Sequence, residues 1–341
     1  MRIAHVRERN APAGAPFRLV AALPGGRWLD LESARHRLVR DDPRLPHNEP
    51  LFRLPVTTLD AHLAAGARID VLRALVEPFS AAGRTVGPEA DDDLTLDPDG
   101  LTFGPPILRP TSLRDFYAFE RHVATMWGRR NQQVPDAWYR LPIFYFGNVS
   151  EVRGPGDPVW RPAASSELDY ELEIAALIDT PALDLSADRA EEAIGGYTIF
   201  NDWSARDLQR DETAVRLGPA KGKDFAASFG PCLVTPDELA DARAGNGYAL
   251  TATAEVNGQE LSRGSWSDIH FGFGEMLARA SADARLRPGD LIGSGTVGTG
   301  CLLEIKDESG FGRWLQPGDV VTLRVERLGE LTNPIVERPE T

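Results

Sequence analysis

From Glu167 to Ile174 charged and apolar residues alternate strictly, in the segment Glu-Leu-Asp-Tyr-Glu-Leu-Glu-Ile-Ala that ends at Ala175. A repeat of two is the strand repeat, so Asp169, Glu171 and Glu173 share one face and Leu168, Tyr170, Leu172 and Ile174 the other. The pattern predicts a strand over 168–178, with further strands over 197–201, 248–256, 302–306 and 319–326. Near the start, the apolar run 17–23, the Pro24-Gly25-Gly26 turn and residues 27–31 read as a β-hairpin. Helical spacing is scarcer. Leu63, Ile69, Leu72 and Leu75 suit a helix over 61–75. Thr111-Ser112-Leu113-Arg114-Asp115 has the form of a capping box opening a helix toward Gly128. Ser186 is placed to cap a short helix through Glu191, Glu192 and Ile194 that Gly195-Gly196 would end. Strands do not alternate with long helices, which argues against a doubly wound parallel sheet; the expected class is α+β, mostly β. Turn-rich stretches at 87–93 and 104–106 place a boundary near 100–107, dividing the chain into a small β-rich unit (1–105) and a larger unit (106–341).

The net charge of −14 over 341 residues argues against nucleic acid, whose phosphates demand a Lys/Arg excess, and against an anionic membrane surface. No apolar run approaches the roughly 20 residues that cross a bilayer, and the N-terminus lacks a signal peptide's apolar core. Cys232 and Cys301 lie in apolar contexts without C-x-x-C spacing. They are expected to be buried free thiols, in keeping with a reducing cytoplasm.

Three acidic features carry candidate chemistry. Same-face carboxylates on a strand lie about 7 Å apart and repel unless a cation sits between them, although a solvated strand face would look the same. Asp202 follows the apolar run Gly195–Phe200 and adjoins Trp203 and Arg206, a place suited to a ligand or equally to an Asn-Asp turn. Asp115 and His122 are seven residues apart, which on one helix returns to the same face. Two other motifs fail. Gly293-Ser294-Gly295-Thr296-Val297-Gly298 satisfies G-x-G-x-x-G, but residues 301–305 read as a strand where a dinucleotide fold needs a helix. Around Gly222-Lys223, Leu217 and Asp224 break the phosphate-loop pattern.

Taken in order, Asp115-Phe116-Tyr117 with His122, residues 141–145, Asp169-Tyr170-Glu171-Leu172-Glu173, Asn201-Asp202-Trp203-Ser204-Ala205-Arg206-Asp207-Leu208-Gln209, Gly222-Lys223, Gly295-Thr296, Leu303-Glu304 and residues 331–334 resemble the fumarylacetoacetate hydrolase family. The resemblance is collinear over about residues 107–337; the first hundred residues share only general character. It implies a mixed β-sandwich roll around a metal, preceded by a small β-rich domain, in a homodimer or higher oligomer. It implies Asp115, Glu171, Glu173 and Asp202 as ligands of a divalent cation, Mg²⁺ above all, with Ca²⁺ or Mn²⁺ as alternatives that carboxylates also suit.

The activity the resemblance implies is hydrolysis of a carbon–carbon bond in a 1,3-diketo acid, resembling fumarylacetoacetate or an acylpyruvate. His122 would be the base and Glu304 its orienting partner, with Arg206, Gln209 and Lys223 donating to developing negative charge. Tyr117, Tyr145 and Thr296 match substrate-contacting positions. Fumarylacetoacetate-cleaving members carry an arginine where Asn131 stands here, so Arg129 or Arg130 is the candidate substitute, and a family tyrosine is replaced by Thr213. These departures leave the small oxo-acid substrate open. A decarboxylase, isomerase or hydratase of a 2-oxo acid on the same metal site is the alternative.

Overall fold

A computed structural model describes residues 1–12, 14–80 and 94–339. The acidic turn at 87–93 lies outside the described residues. The expected hairpin is present: Arg18–Ala22 pairs antiparallel with Trp28–Asp30. Its neighbour Arg2–Glu8 pairs with Ala227–Val234, so the N-terminal strands extend one large sheet. From there the order runs Ile194–Asp202, Leu172–Ile178, Asp290–Gly293, Ser112–Phe116 and Phe144–Gly147. A five-stranded sheet that includes Thr251–Val256, Val320–Val325 and Gly329–Val336 packs against it.

Every residue of Leu172–Ile178 and Ile194–Asp202 is buried, because both faces of the large sheet are covered. Alternation then sorts side chains between two cores. Ile174, Ala176 and Ile178 face the core shared with the five-stranded sheet, while Ala175 and Leu177 face the core built from the N-terminal residues Ile3, Leu19, Leu29 and Leu63. The mostly-β α+β expectation holds. Cys232 and Cys301 are free and buried. Among the described residues no helix is long and apolar enough to cross a membrane.

Four local expectations need correction. Residues 111–116 do not open a helix: Ser112–Phe116 is a strand, and the helix is Glu120–Gly128. The Thr111 and Ser112 hydroxyls donate to Asp290 (2.5 and 2.7 Å) rather than capping, so a partner far along the chain overrides the local signal. The helix over 61–75 is split into Leu59–Ala64, a 3₁₀ turn Ile69–Leu72 and Arg73–Ser80. After Ser186 only a 3₁₀ turn, Ala190–Ala193, forms, and Gly195-Gly196 lie inside the following strand. A Cβ at 195 would strike Ile69 and Asp179, and one at 196 would strike Leu233, so these glycines serve close approach, not helix termination.

Residues 302–306, expected as a strand, instead contain the helical turn Leu302–Ile305. The dinucleotide motif still fails, because the stretch after Gly293 is an irregular loop and the helical turn beyond it is only four residues long. Its glycines serve packing: a Cβ at 295 would meet the Phe116 carbonyl, and one at 298 the Arg121 side chain.

Candidate active site

A cleft of about 610 Å³ opens where the large sheet meets the helices Glu120–Gly128 and Arg206–Ala214. Three strands of the large sheet deliver carboxylates to its floor: Ile194–Asp202 and Leu172–Ile178 are neighbours, and Ser112–Phe116 lies beyond Asp290–Gly293. Asp115 lies across the ladder from Gly293 on one side and Tyr145 on the other. Glu173 pairs with Phe200, and Asp202 ends the same strand as Phe200. Oxygens of Asp115, Glu173 and Asp202 all lie within 4.8 Å of one another, and all three residues are buried.

This triad is electrostatically incomplete by itself. Burial, then the neighbouring Asp202, pushes the Asp115 carboxyl well above the usual range. Burial followed by Asp115 does the same to Glu173. Asp202 is also raised by burial, an effect that Lys223 only partly offsets. Glu173 Oε2 is buried without a hydrogen-bond partner, whereas Oε1 accepts from the Thr296 hydroxyl at 3.3 Å. Close, buried carboxyl oxygens with one left unpaired, which repel one another once ionised, are a ligand set that fits a hard divalent cation.

Glu171 is connected to this triad through a lysine. The Lys223 ammonium donates to both Glu171 and Asp202. The other Glu171 oxygen accepts from Arg206 at 2.8 Å. Burial opposes the charge on Glu171, but Arg206 and Lys223 together outweigh it and hold the carboxyl below its ordinary range. The expected set of four acids is therefore a triad of close oxygens plus one acid already neutralised by two cations.

The helix Glu120–Gly128 brings buried His122 over the opposite wall, where its Nδ1 contacts Glu304 Oε1. Since a carboxylate only accepts, the pair fixes the proton on Nδ1 and leaves Nε2 as the free nitrogen. Glu304 Oε2 accepts from the Thr299 amide at 3.0 Å. Asp115 and His122 thus occupy different elements, a strand and a helix, and not one helical face as the spacing suggested. His122, Cys301 and Glu304 also bring potential ligand atoms within 4.8 Å. Burial pushes the Cys301 thiol well up, and its Sγ lies 3.7 Å from Glu304 Oε1.

The remaining candidates divide by what they touch. Arg206 donates to Asp169, Glu171 and the Gln209 amide oxygen, which leaves the Gln209 NH₂ as a donor. Tyr117, Arg129 and Arg130 line the cleft, and Arg129 is further tied to the Glu304 carbonyl at 2.9 Å. Tyr145 and Thr296 line it too, yet their hydroxyls are committed to Asp202 (2.5 Å) and Glu173. Both act on carboxylates rather than presenting a free hydroxyl. Arg210, Met126 and Trp127 also line the wall, and no motif in the sequence points to them.

Gly293 admits a prediction. A Cβ there would collide with Asp115 Oδ1 and stand 3.0 Å from Phe200. Gly293→Ala should therefore displace Asp115 and weaken Mn²⁺ binding by about 10–100-fold, measured by titration calorimetry. Unchanged affinity would remove Asp115 from the ligand set.

Residues 111–336 match the family model described as fumarylacetoacetate (FAA) hydrolase C-terminal. A mitochondrial oxaloacetate tautomerase of Xenopus laevis is 31% identical over 208 residues, 61% of this chain and 60% of that protein. A 2,4-didehydro-3-deoxy-L-rhamnonate hydrolase of Sphingomonas sp. is 31% identical over 199 residues, 58% and 65% of the two chains. The chain thus spans less than two thirds of the length of these curated relatives. A fumarylacetoacetate hydrolase structure from Exiguobacterium antarcticum superposes with a TM-score of 0.69 at 24% identity, covering 99% of this chain and all of that one. With the family model covering well over half its length, this chain belongs to the fumarylacetoacetate hydrolase family.

Proposed function

We propose that this protein is a hydrolase of a carbon–carbon bond in a ketonic substrate, a 1,3-diketo acid of the acylpyruvate or fumarylacetoacetate type. The observation that carries the reading is the buried His122, held by Glu304 and lining the same cleft as Asp115 and Glu173 of the acid triad. Asp115, Glu173 and Asp202, with Glu171 at their border, would hold a divalent cation, Mg²⁺ first, Ca²⁺ or Mn²⁺ otherwise. Such a cation supplies Lewis-acid stabilisation of the enolate that the broken bond leaves behind.

The chain's own groups account for the proton transfers. His122 Nε2 takes a proton from water, and the resulting hydroxide oxygen bonds to one carbonyl carbon. Glu304 stabilises the imidazolium that forms. The carbon–carbon bond then breaks, its electron pair passes into the enolate, and a proton delivered to the enolate carbon completes the ketone. Arg206 is fixed by Asp169 and Glu171 beside this charge. Lys223 has three donors and spends two on Glu171 and Asp202, so the third is available to an enolate oxygen.

A tautomerase, decarboxylase, isomerase or hydratase would use the same enolate chemistry, and a tautomerase is among the relatives. Decarboxylation needs only the electron sink and no base poised to activate water, which is why the dyad favours hydrolysis over it. Incubation with acylpyruvates, fumarylacetoacetate and oxaloacetate separates these readings. Loss of diketone absorbance with two carboxylic products, abolished by chelator, is expected. Turnover of oxaloacetate with no diketo acid cleaved would overturn the hydrolase reading.

A further inference from the structure

We infer that Asp169 is a positioning residue that holds the Glu304 turn and the Arg206 guanidinium in one fixed relation. The inference rests on the hydrolase reading for its kinetic consequence, not for its geometry. Asp169 is fully buried and is not among the residues lining the cleft, so it does not reach substrate.

Its carboxylate joins two sides of the site. Oδ1 accepts from the Leu302 amide at 2.7 Å, and Oδ2 accepts from the Leu303 amide at 3.0 Å. These amides open the helical turn Leu302–Ile305, whose own cap residue, Cys301, provides no side-chain hydrogen bond. First-turn amides have no partner within a helix, so a turn of four residues depends on an outside acceptor. Asp169 supplies it across 133 residues of sequence. Glu304 is the next residue in that turn and contacts His122. A shift of the 302–303 backbone is therefore passed to the base in a single step.

The same Oδ2 accepts from Arg206 Nε at 2.8 Å. Held there, the planar guanidinium directs its terminal nitrogens to Glu171 and Gln209. One carboxylate thereby registers the water-activating wall against the charge-stabilising wall. Oriented partners of this kind typically contribute about 10–100-fold to activity when removed.

Asp169→Asn keeps the size but turns a donor toward amides and guanidinium. In it, kcat for diketo-acid hydrolysis should fall about 10–100-fold while KM and Mn²⁺ affinity stay within about threefold. In a Glu304→Gln background the same substitution should cost clearly less than it does alone, because the part that acts through Glu304 is already lost and only the part that acts through Arg206 remains. Asp169→Glu, which retains the charge and both acceptors, should recover at least part of kcat. If Asp169→Asn does not fold, Asp169→Glu carries the same cycle, its smaller kcat loss shrinking further in the Glu304→Gln background. Full multiplication of the two losses, or an effect confined to KM or metal affinity, would overturn the inference. The downfield proton resonance of His122 Nδ1–H, read without substrate, separates this failure from failure of the hydrolase reading. It should move in Asp169→Asn or Asp169→Glu even if no diketo acid is cleaved, and an unmoved resonance would sink the positioning role.

Discussion

His122→Ala should lower kcat for diketo-acid hydrolysis by about 10²–10⁴-fold, the usual contribution of a positioned general base. KM should change little, because His122 removes a proton from water in the transition state and does not hold the ground-state substrate. Cation affinity should be preserved as well, since His122 contacts Glu304 and stands apart from the acid triad. Glu304→Gln should cost less, because an amide still accepts from Nδ1 but no longer stabilises the imidazolium. The measurements are initial rates over a range of substrate concentrations, together with calorimetric Mn²⁺ titration of each variant. Equal turnover by His122→Ala would dismiss the residue as base. If oxaloacetate tautomerisation were present and unaffected in the same variant, the enolate chemistry of the triad would operate without it.

The parts of this site legible in the sequence are those whose signal is short-range. Glu171 and Glu173 stood out because strand alternation is local, and Asp202 because it ends an apolar run. Both lie where those patterns put them, although the strand is interrupted between Asp169 and Leu172. The motif order, more than any spacing, linked His122 to Glu304. What failed depended on partners far along the chain. The Thr111–Asp115 stretch has the composition of a helix cap, but Asp290, 178 residues beyond Ser112, takes its hydroxyls and the parallel ladder to Asp290–Gly293 makes it a strand. Residues 302–306 read as a strand from their apolar character, whereas Asp169, remote in sequence, accepts from the first amides of the turn that carries Glu304. Tyr145 illustrates a subtler gap. Its position beside the site follows from the family pattern, yet its bond to Asp202 follows from cross-strand register with Asp115, which no single segment reveals.

Metal-free Glu173→Gln protein should be more stable than the metal-free parent at about pH 8, and that advantage should shrink toward pH 4. Burial and the adjacent Asp115 raise the Glu173 carboxyl, so the folded state keeps a proton that the unfolded chain has already released. The stability contributed by that proton is fully present below the unfolded value of about 4, and it is lost as pH rises through the raised folded value. While the folded proton is retained, the loss runs at about 1.4 kcal/mol per pH unit for each such group. Asp115 follows the same direction, its raising due to burial and then Asp202. Glu171 runs the other way. Arg206 and Lys223 outweigh its burial, so its contribution is present above about pH 4 and lost only in stronger acid. The two windows are therefore separable, and comparison with Glu173→Gln isolates the first. Adding Mg²⁺ or Mn²⁺ should invert the order, because the parent alone gains binding energy, about 2.7 kcal/mol at a hundredfold excess over Kd. Thermal unfolding of both proteins from about pH 4 to 8, with EDTA and with cation, checks each step. A variant less stable than the parent in EDTA at the alkaline end would mean that Glu173 is not under repulsion. Equal stabilisation of both proteins by cation would place the metal elsewhere.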